Sequence, residues 1–195
     1  MTKAERTRNF IIERSAPLIN RKGVAGTSIA DIMEATQLAK GGIYGNFESK
    51  EEICSEALSY LLKTIGSAIS ARMAGKTSAK EQLFAIFDYY SDTLGMDGNY
   101  GCPMLNFGAE SDDTDPMIRK KVSDAITEME ELFHSIVQRG IDQQEFDDKL
   151  DAGSYALKAL TMIEGGLWMS RVLRNGKKIR MIMAMLKKEI GEHCI

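Results

Sequence analysis

Between Thr27 and Asn46 the chain places two short helical segments only three residues apart. Thr27-Ser28 supplies an N-cap, and Ile29, Ile32 and Met33 follow on one face of a helix that stops near Ala35. Thr36-Gln37-Leu38 makes the connection, and a second short helix is predicted over residues 39–46. The pair forms a helix-turn-helix, whose second helix is narrow enough to enter the major groove of duplex DNA. A longer helix precedes it. Phe10, Ile11, Ala16, Leu18 and Ile19 recur at near-helical spacing within residues 3–22, and Gly23 and Gly26 end the run. Pro17 cannot donate to the carbonyl of Glu13, which predicts a kink or a tightened last turn. After the pair, Ser49-Lys50-Glu51-Glu52 has the form of a capping box and opens a long helix reaching about residue 74.

The rest of the chain is also helical in pattern. Leu83, Phe84, Phe87, Tyr90 and Leu94 mark an amphipathic face over residues 78–95, which Gly95, Gly98 and Gly101 interrupt. A shorter apolar piece covers residues 102–110. Asp115-Pro116 reads as the cap and first residue of a helix to about residue 139, with Gly140 as its end. Helices over residues 148–174 and 177–192 flank Asn175-Gly176. No alternating run of strand length and no internal repeat occurs, and 195 residues contain only three prolines. The expected fold is therefore all-α, with an N-terminal three-helix head in residues 1–50 carrying the helix-turn-helix and a larger helical body in residues 51–195.

The net charge of −3 conceals a polarity. Residues 1–50 hold eight lysines and arginines against five acids, whereas the remaining 145 hold 17 basic and 23 acidic side chains. A basic head on an acidic body suits a polyanion bound at one end only. The longest strictly apolar run, Met181 to Leu186, is far short of the roughly 20 residues that span a bilayer. The charged N-terminus lacks the apolar core of a secretory signal, so a cytoplasmic location is expected. Cys54, Cys102 and Cys194 are odd in number and widely spaced, which fits reduced thiols. With only His134 and His193 besides, no metal site and no cofactor are expected.

The segment TSIADIMEATQLAKGGIYGNFESKEEI resembles the N-terminal signature of the TetR family of bacterial transcriptional repressors. The matching elements are Gly23, Thr27-Ser28, Asp31-Ile32, Lys40-Gly41, Tyr44, Phe47 and Ser49-Lys50-Glu51, and the likeness covers about residues 6–55. GCPMLNFGAESDDTDPMIR is similar to a segment in one branch of the same family. The resemblance implies that Thr27 and Ser28 meet phosphates at the start of the second helix, and that Lys40 and Tyr44 project from the recognition helix. Lys50 would hold the DNA backbone, while Ile32, Ile43 and Phe47 would be core. Gln37, Leu38, Ala39, Gly41 and Asn46 complete the expected interface, Gly41 and Gly42 by leaving room for backbone approach to the groove. Gln37, Ala39 and Asn46 stand where the family usually has glycine, serine and histidine, so its base contacts do not transfer. Gln37 and Asn46 keep the chemistry for bidentate contacts to adenine.

The same resemblance implies a homodimer on a palindromic operator, its last two helices pairing with those of a second copy. Ala156, Leu160, Ile163, Leu167, Met181 and Met185 are the expected interface residues, on stripes that also include Leu157, Ile182, Leu186 and Ile190. Ala159, Gly165 and Gly166 would permit close approach. The family further implies a small, mostly apolar effector that releases the repressor from DNA. Twelve methionines and scattered aromatics suit such a ligand, with Phe84, Phe87, Cys102, Met104, Phe107, Phe133, Met162 and Trp168 as its expected contacts.

Enzymatic alternatives are weak. Glu131 and His134 have the spacing of a helical di-iron half-site, but no second copy exists. Gly75-Lys76-Thr77 lacks the first glycine and preceding strand of a phosphate loop, and Asp112, Asp113 and Asp115 lack calcium-loop spacing. The competing readings are a helical protein-interaction adaptor and a redox- or electrophile-sensing regulator acting through Cys102.

Overall fold

The computed structural model describes residues 1–93 and 101–195, and among them it contains nine helices. In chain order these are α1 (Lys3–Lys22), α2 (Ile29–Thr36), α3 (Lys40–Tyr44), α4 (Lys50–Met73), α5 (Ala79–Thr93), α6 (Pro103–Ser111), α7 (Pro116–Asp142), α8 (Ala152–Val172) and α9 (Lys177–Glu192). Leu94, Gly95 and Gly98, expected to end and follow the fifth helix, lie outside the described residues. The sole strand-like pairing among those residues is an isolated bridge between Phe146 and Cys194.

The chain divides into two compact units. Met1–Ile65 with Pro103–Asp124 form the first, and Gly66–Cys102 with Ala125–Ile195 form the second. The first unit is thus larger than a head of 50 residues, because α6 and the start of α7 return to it.

Local chemistry explains the ends of the elements. Thr2 and Glu5 make a reciprocal capping box that starts α1, and Gly23 ends it with φ of 86°, a left-handed value that a side chain would resist. The helix stays continuous through Pro17, which is exposed. Ser28 and Asp31 make a second reciprocal box at α2. The box expected at Ser49 is shifted: Ser49 Oγ accepts from Glu52 N–H at 3.1 Å, but Glu52 Oε2 accepts from Glu48 N–H at 2.6 Å.

The core of the first unit gathers Ile11, Ile12, Ala16 and Ile19 from α1 with Ile32, Ile43, Phe47, Ile53 and Leu58, all buried. In the second unit α8 packs on α9. Tyr155 Oη donates to the carbonyl of Leu186 at 3.0 Å, and Ile179 N–H donates to Ser170 Oγ at 3.1 Å. A Cβ at Gly166 would stand 2.8 Å from Ile182 Cδ1, so the glycine permits this contact.

Gly140, expected from sequence to end its helix, does not do so. The helix continues to Asp142, and Gly140 is required because the Phe146 ring packs where its Cβ would stand, 2.4 Å away.

Candidate nucleic-acid interface

Gln37 begins the turn between α2 and α3 in the left-handed region, with φ of 58° and its side-chain Nε2 donating to the carbonyl of Glu34 at 2.7 Å. Thr36 braces the turn from inside. Its buried hydroxyl donates to the carbonyl of Ile32 at 2.7 Å. Gln37-Leu38-Ala39 then delivers the chain into α3, which is five residues long, shorter than the eight expected. Ile43 is fully buried and Phe47 is 2% exposed, so one side of this segment anchors it to the core. The other side is open. Lys40, Gly41 and Tyr44 are exposed, the Lys40 ammonium lies 5.8 Å from the Tyr44 ring centroid, and a Cβ at Gly41 would meet nothing within 4 Å. Gln37 and Ala39 are exposed beside them, whereas Leu38 is half-buried, its Cβ 3.6 Å from where a Cβ of Gly42 would lie. A cation, an aromatic and a bare backbone on one short convex surface match what a groove admits: charge for phosphate, a polar ring for base edges, and no side chain to hold the helix off.

Several residues expected to touch DNA are engaged in hydrogen bonds within the chain. Thr27 is buried and its hydroxyl donates to the carbonyl of Gly23 at 2.7 Å, so it closes the α1–α2 loop rather than facing a phosphate. Ser28 is exposed, but its Oγ accepts from Asp31 N–H and donates to Asp31 Oδ2. The Asp31 carboxylate, bonded to Lys22 Nζ at 2.5 Å and to Ser28, is held well below the usual carboxylate range, first by Lys22 and then by Ser28. Lys50 donates to the carbonyls of Val24 at 2.9 Å and Thr27 at 3.1 Å. Its ammonium therefore fastens the loop. Asn46 turns its Nδ2 back to the carbonyl of Gly42 at 2.8 Å, capping the end of α3.

Arg8 is the residue that sequence reasoning missed. Its guanidinium donates to the main-chain carbonyl of Asn46 and to Glu52 Oε1 at 2.8 Å, pairs with Glu56, and lies 4.1 Å from the Phe47 ring centroid. Hydrogen bonding to Glu52 raises its pKa further and lowers that of Glu52. A single arginine thus ties α1 to the end of α3 and the start of α4. Its partners lie 38 to 48 residues away, and no local spacing announces such a clamp.

The expected contacts of the body are placed unevenly. Phe87 and Phe133 are buried and stack with centroids 6.1 Å apart. Phe84 is half-buried under Lys80 and Lys187, and Met162 is half-buried on α8. Cys102 is buried, 3% exposed. Met104 and Phe107 belong to the core of the first unit, not to the second where the others lie. Trp168 is 56% exposed in the single chain.

The residues expected at the contact between copies differ in exposure. Ala156, Leu160, Ile163 and Leu167 are all buried within the chain itself, and so is Ala159. The apolar residues left outside on α8 are Leu157, Trp168 and Val172, and on α9 Met181 and Met185, each more than half exposed. Leu157, of the expected stripe on α8, thus faces outward with Trp168 and Val172, about 100° around the helix from the buried Ala156.

An exposed short helix, braced from behind and entered through a three-residue turn, defines a protein of the helix-turn-helix DNA-binding class. Comparison with known proteins gives the family. Residues 11–57 match the profile of bacterial regulatory proteins of the tetR family, and residues 79–186 match that of the tetracyclin repressor-like C-terminal domain. A crystal structure of a TetR transcriptional regulator from Chloroflexus aurantiacus is 34% identical, with a TM-score of 0.92 over 100% of this chain and 98% of that one. An uncharacterized HTH-type transcriptional regulator in the lacX 3' region of Lactococcus lactis is 30% identical over 129 residues, so the chain spans 64% of that relative. A cysteine mutant of the TetR-family regulator CifR, complexed with 26-bp double-strand operator DNA, shares the fold with a TM-score of 0.82 at 19% identity, over 92% of this chain and 94% of that one. The chain belongs to the TetR family of bacterial transcriptional regulators.

Proposed function

We propose that the chain acts in the cytoplasm as a homodimeric repressor that binds a palindromic operator and is released by a small effector. The observation that carries the DNA reading is the two-sided character of α3, with Ile43 and Phe47 buried behind it and Lys40, Gly41 and Tyr44 exposed in front. In this reading Lys40 and Tyr44, with Gln37 at the turn, contact the groove, and Ser28 approaches a phosphate. Thr27, Leu38, Ala39, Asn46 and Lys50 set the pose of α3. A duplex-bound relative of the same fold supports the mode of binding.

Pairing follows from the apolar stripe of α8 and α9. Leu157, Trp168, Val172, Met181 and Met185 give a face that water would not leave bare, and a second copy covers it isologously. Two recognition helices then meet half-sites about 34 to 36 Å apart. The effector acts by differential affinity for the DNA-competent and DNA-incompetent states, with the aromatic and methionine side chains of the body as its contacts. The chain performs no covalent chemistry in this scheme.

Selection of duplexes from a random pool, followed by fluorescence anisotropy over a salt series, tests the proposal. The expected outcome is a palindromic site, two protomers per duplex and an affinity that falls steeply with salt through counterion release. Binding with no sequence preference and no salt dependence would overturn it in favour of a protein-interaction adaptor.

A further inference from the structure

Glu164 on α8 carries a carboxyl group that the fold leaves almost unused. Both of its oxygens are shielded from solvent, and no nitrogen or oxygen donor is bonded to either. The hydrogen-bonding neighbour is the Cys102 thiol, a weak donor. Tyr90, 3% exposed, is close enough to feel both Glu164 and Cys102, and Tyr89 packs edge-on against it with centroids 5.3 Å apart. None of the ion pairs among the described residues includes Glu164.

A buried acceptor with this much spare capacity is a cost to the folded state unless another state supplies its partner. Leucine or methionine would fill the same space without that cost. The surroundings select what the partner is. A carboxylate near the Tyr90 hydroxyl and a polarisable sulfur attracts an organic cation through charge, and repels an anion. An apolar ligand alone would leave the carboxylate as unsatisfied as it is now.

We propose that Glu164, with Tyr90 and Cys102, recognises an ammonium group carried on an apolar body, so that the effector is an amphiphilic organic cation. This rests on the reading of the body as an effector-binding unit and names the chemical class of that effector. Burial raises the pKa of Glu164, so the arriving cation also favours its ionised form. Because the oxygens are closed off from solvent, the ligand enters by displacing side chains.

The test compares phenyltrimethylammonium with its neutral isostere tert-butylbenzene by calorimetry at pH 8, on the full chain and on Glu164→Gln and Glu164→Leu variants. Wild type is expected to favour the cation by about tenfold or more, and both variants to lose that preference. The Glu164→Leu variant should melt at or above the wild-type temperature, since it removes an unsatisfied group. Equal binding of the two compounds, binding of neither, or a preference retained in the variants would overturn the proposal. A Glu164→Leu variant that melts several degrees lower would mark the carboxylate as structural, and one whose copies dissociate more readily would assign it to the contact between copies. Either result would overturn it too. A neutral compound that still displaces operator DNA would leave the effector reading standing while this proposal failed.

Discussion

The Lys50 ammonium sits 3.1 Å from the carbonyl oxygen of Thr27 and 2.9 Å from that of Val24, so the first turn of α4 fastens the loop between α1 and α2. This cation is spent on main-chain oxygens. Replacing it with methionine leaves two carbonyls without their donor, which should destabilise the chain by about 1–3 kcal/mol in chemical denaturation. The dependence of DNA affinity on salt should change by less than the loss of one phosphate contact. A Lys50→Met protein as stable as wild type, with a clearly flatter salt slope, would return Lys50 to the phosphate.

Lys40 and Tyr44 should behave in the opposite way. Both are exposed on α3, and their side chains make no hydrogen bond among the described residues, so alanine at either position should shift stability by no more than about 0.5 kcal/mol. Operator affinity should fall about tenfold, and Tyr44→Ala should also relax base preference at one position of each half-site. Melting curves and anisotropy on the same preparations separate the two effects.

Gly41 offers a sharper comparison. With open space where its Cβ would stand, Gly41→Ala should raise stability by up to about 1 kcal/mol through helix propensity. The added methyl lies on the face offered to the groove, so DNA affinity should drop. Equal or tighter DNA binding by the alanine variant would show that α3 meets DNA by another side.

Leu160 and Met185 discriminate the inner from the outer stripe of the last two helices. Leu160→Ala should cost about 2–5 kcal/mol, because the side chain is 6% exposed within the monomer. Met185→Glu should leave the fold intact and instead abolish pairing and cooperative operator binding, as read by analytical ultracentrifugation.

Acid should weaken the head through Asp31. Its pKa is held down by Lys22 and then Ser28, so the stabilisation is fully present above the ordinary carboxylate pKa near pH 4 and is lost as pH falls toward the depressed value. Asp31→Asn should flatten the decline of melting temperature below about pH 4 and leave stability nearly independent of that group. An unchanged acid limb would mean that Glu52, which Arg8 depresses in the same sense, carries the effect.

Much of the element map was legible without coordinates. The last helix begins and ends where its apolar period and Asn175-Gly176 place it. α8 starts at Ala152 rather than residue 148 because the Asp151 carboxylate accepts from Ser154 N–H at 2.7 Å, a cap that competes with several nearby aspartates on equal terms in the sequence. The exposed face of α3 was legible in part. Lys40, Gly41 and Tyr44 are where the pattern put them, but Thr27, Asn46 and Lys50 turned out to be engaged with carbonyls from the loop or from their own helix. Residue type announces a donor, and it does not announce which acceptor the donor reaches.

The same division holds for the whole molecule. Helical period, capping residues and the three-residue turn are local, each set by a handful of neighbours along the chain, so the order of amino acids is enough to fix them. The Arg8 clamp, the isolation of Glu164 and the phase of the stripe left outside on α8 depend on contacts between segments tens of residues apart. A helix carrying apolar residues on more than one face has no internal reason to bury Leu160 and expose Leu157. The helix packed against it decides, through Gly166 and the side chains of Ile179 and Ile182 that fill the space beside it.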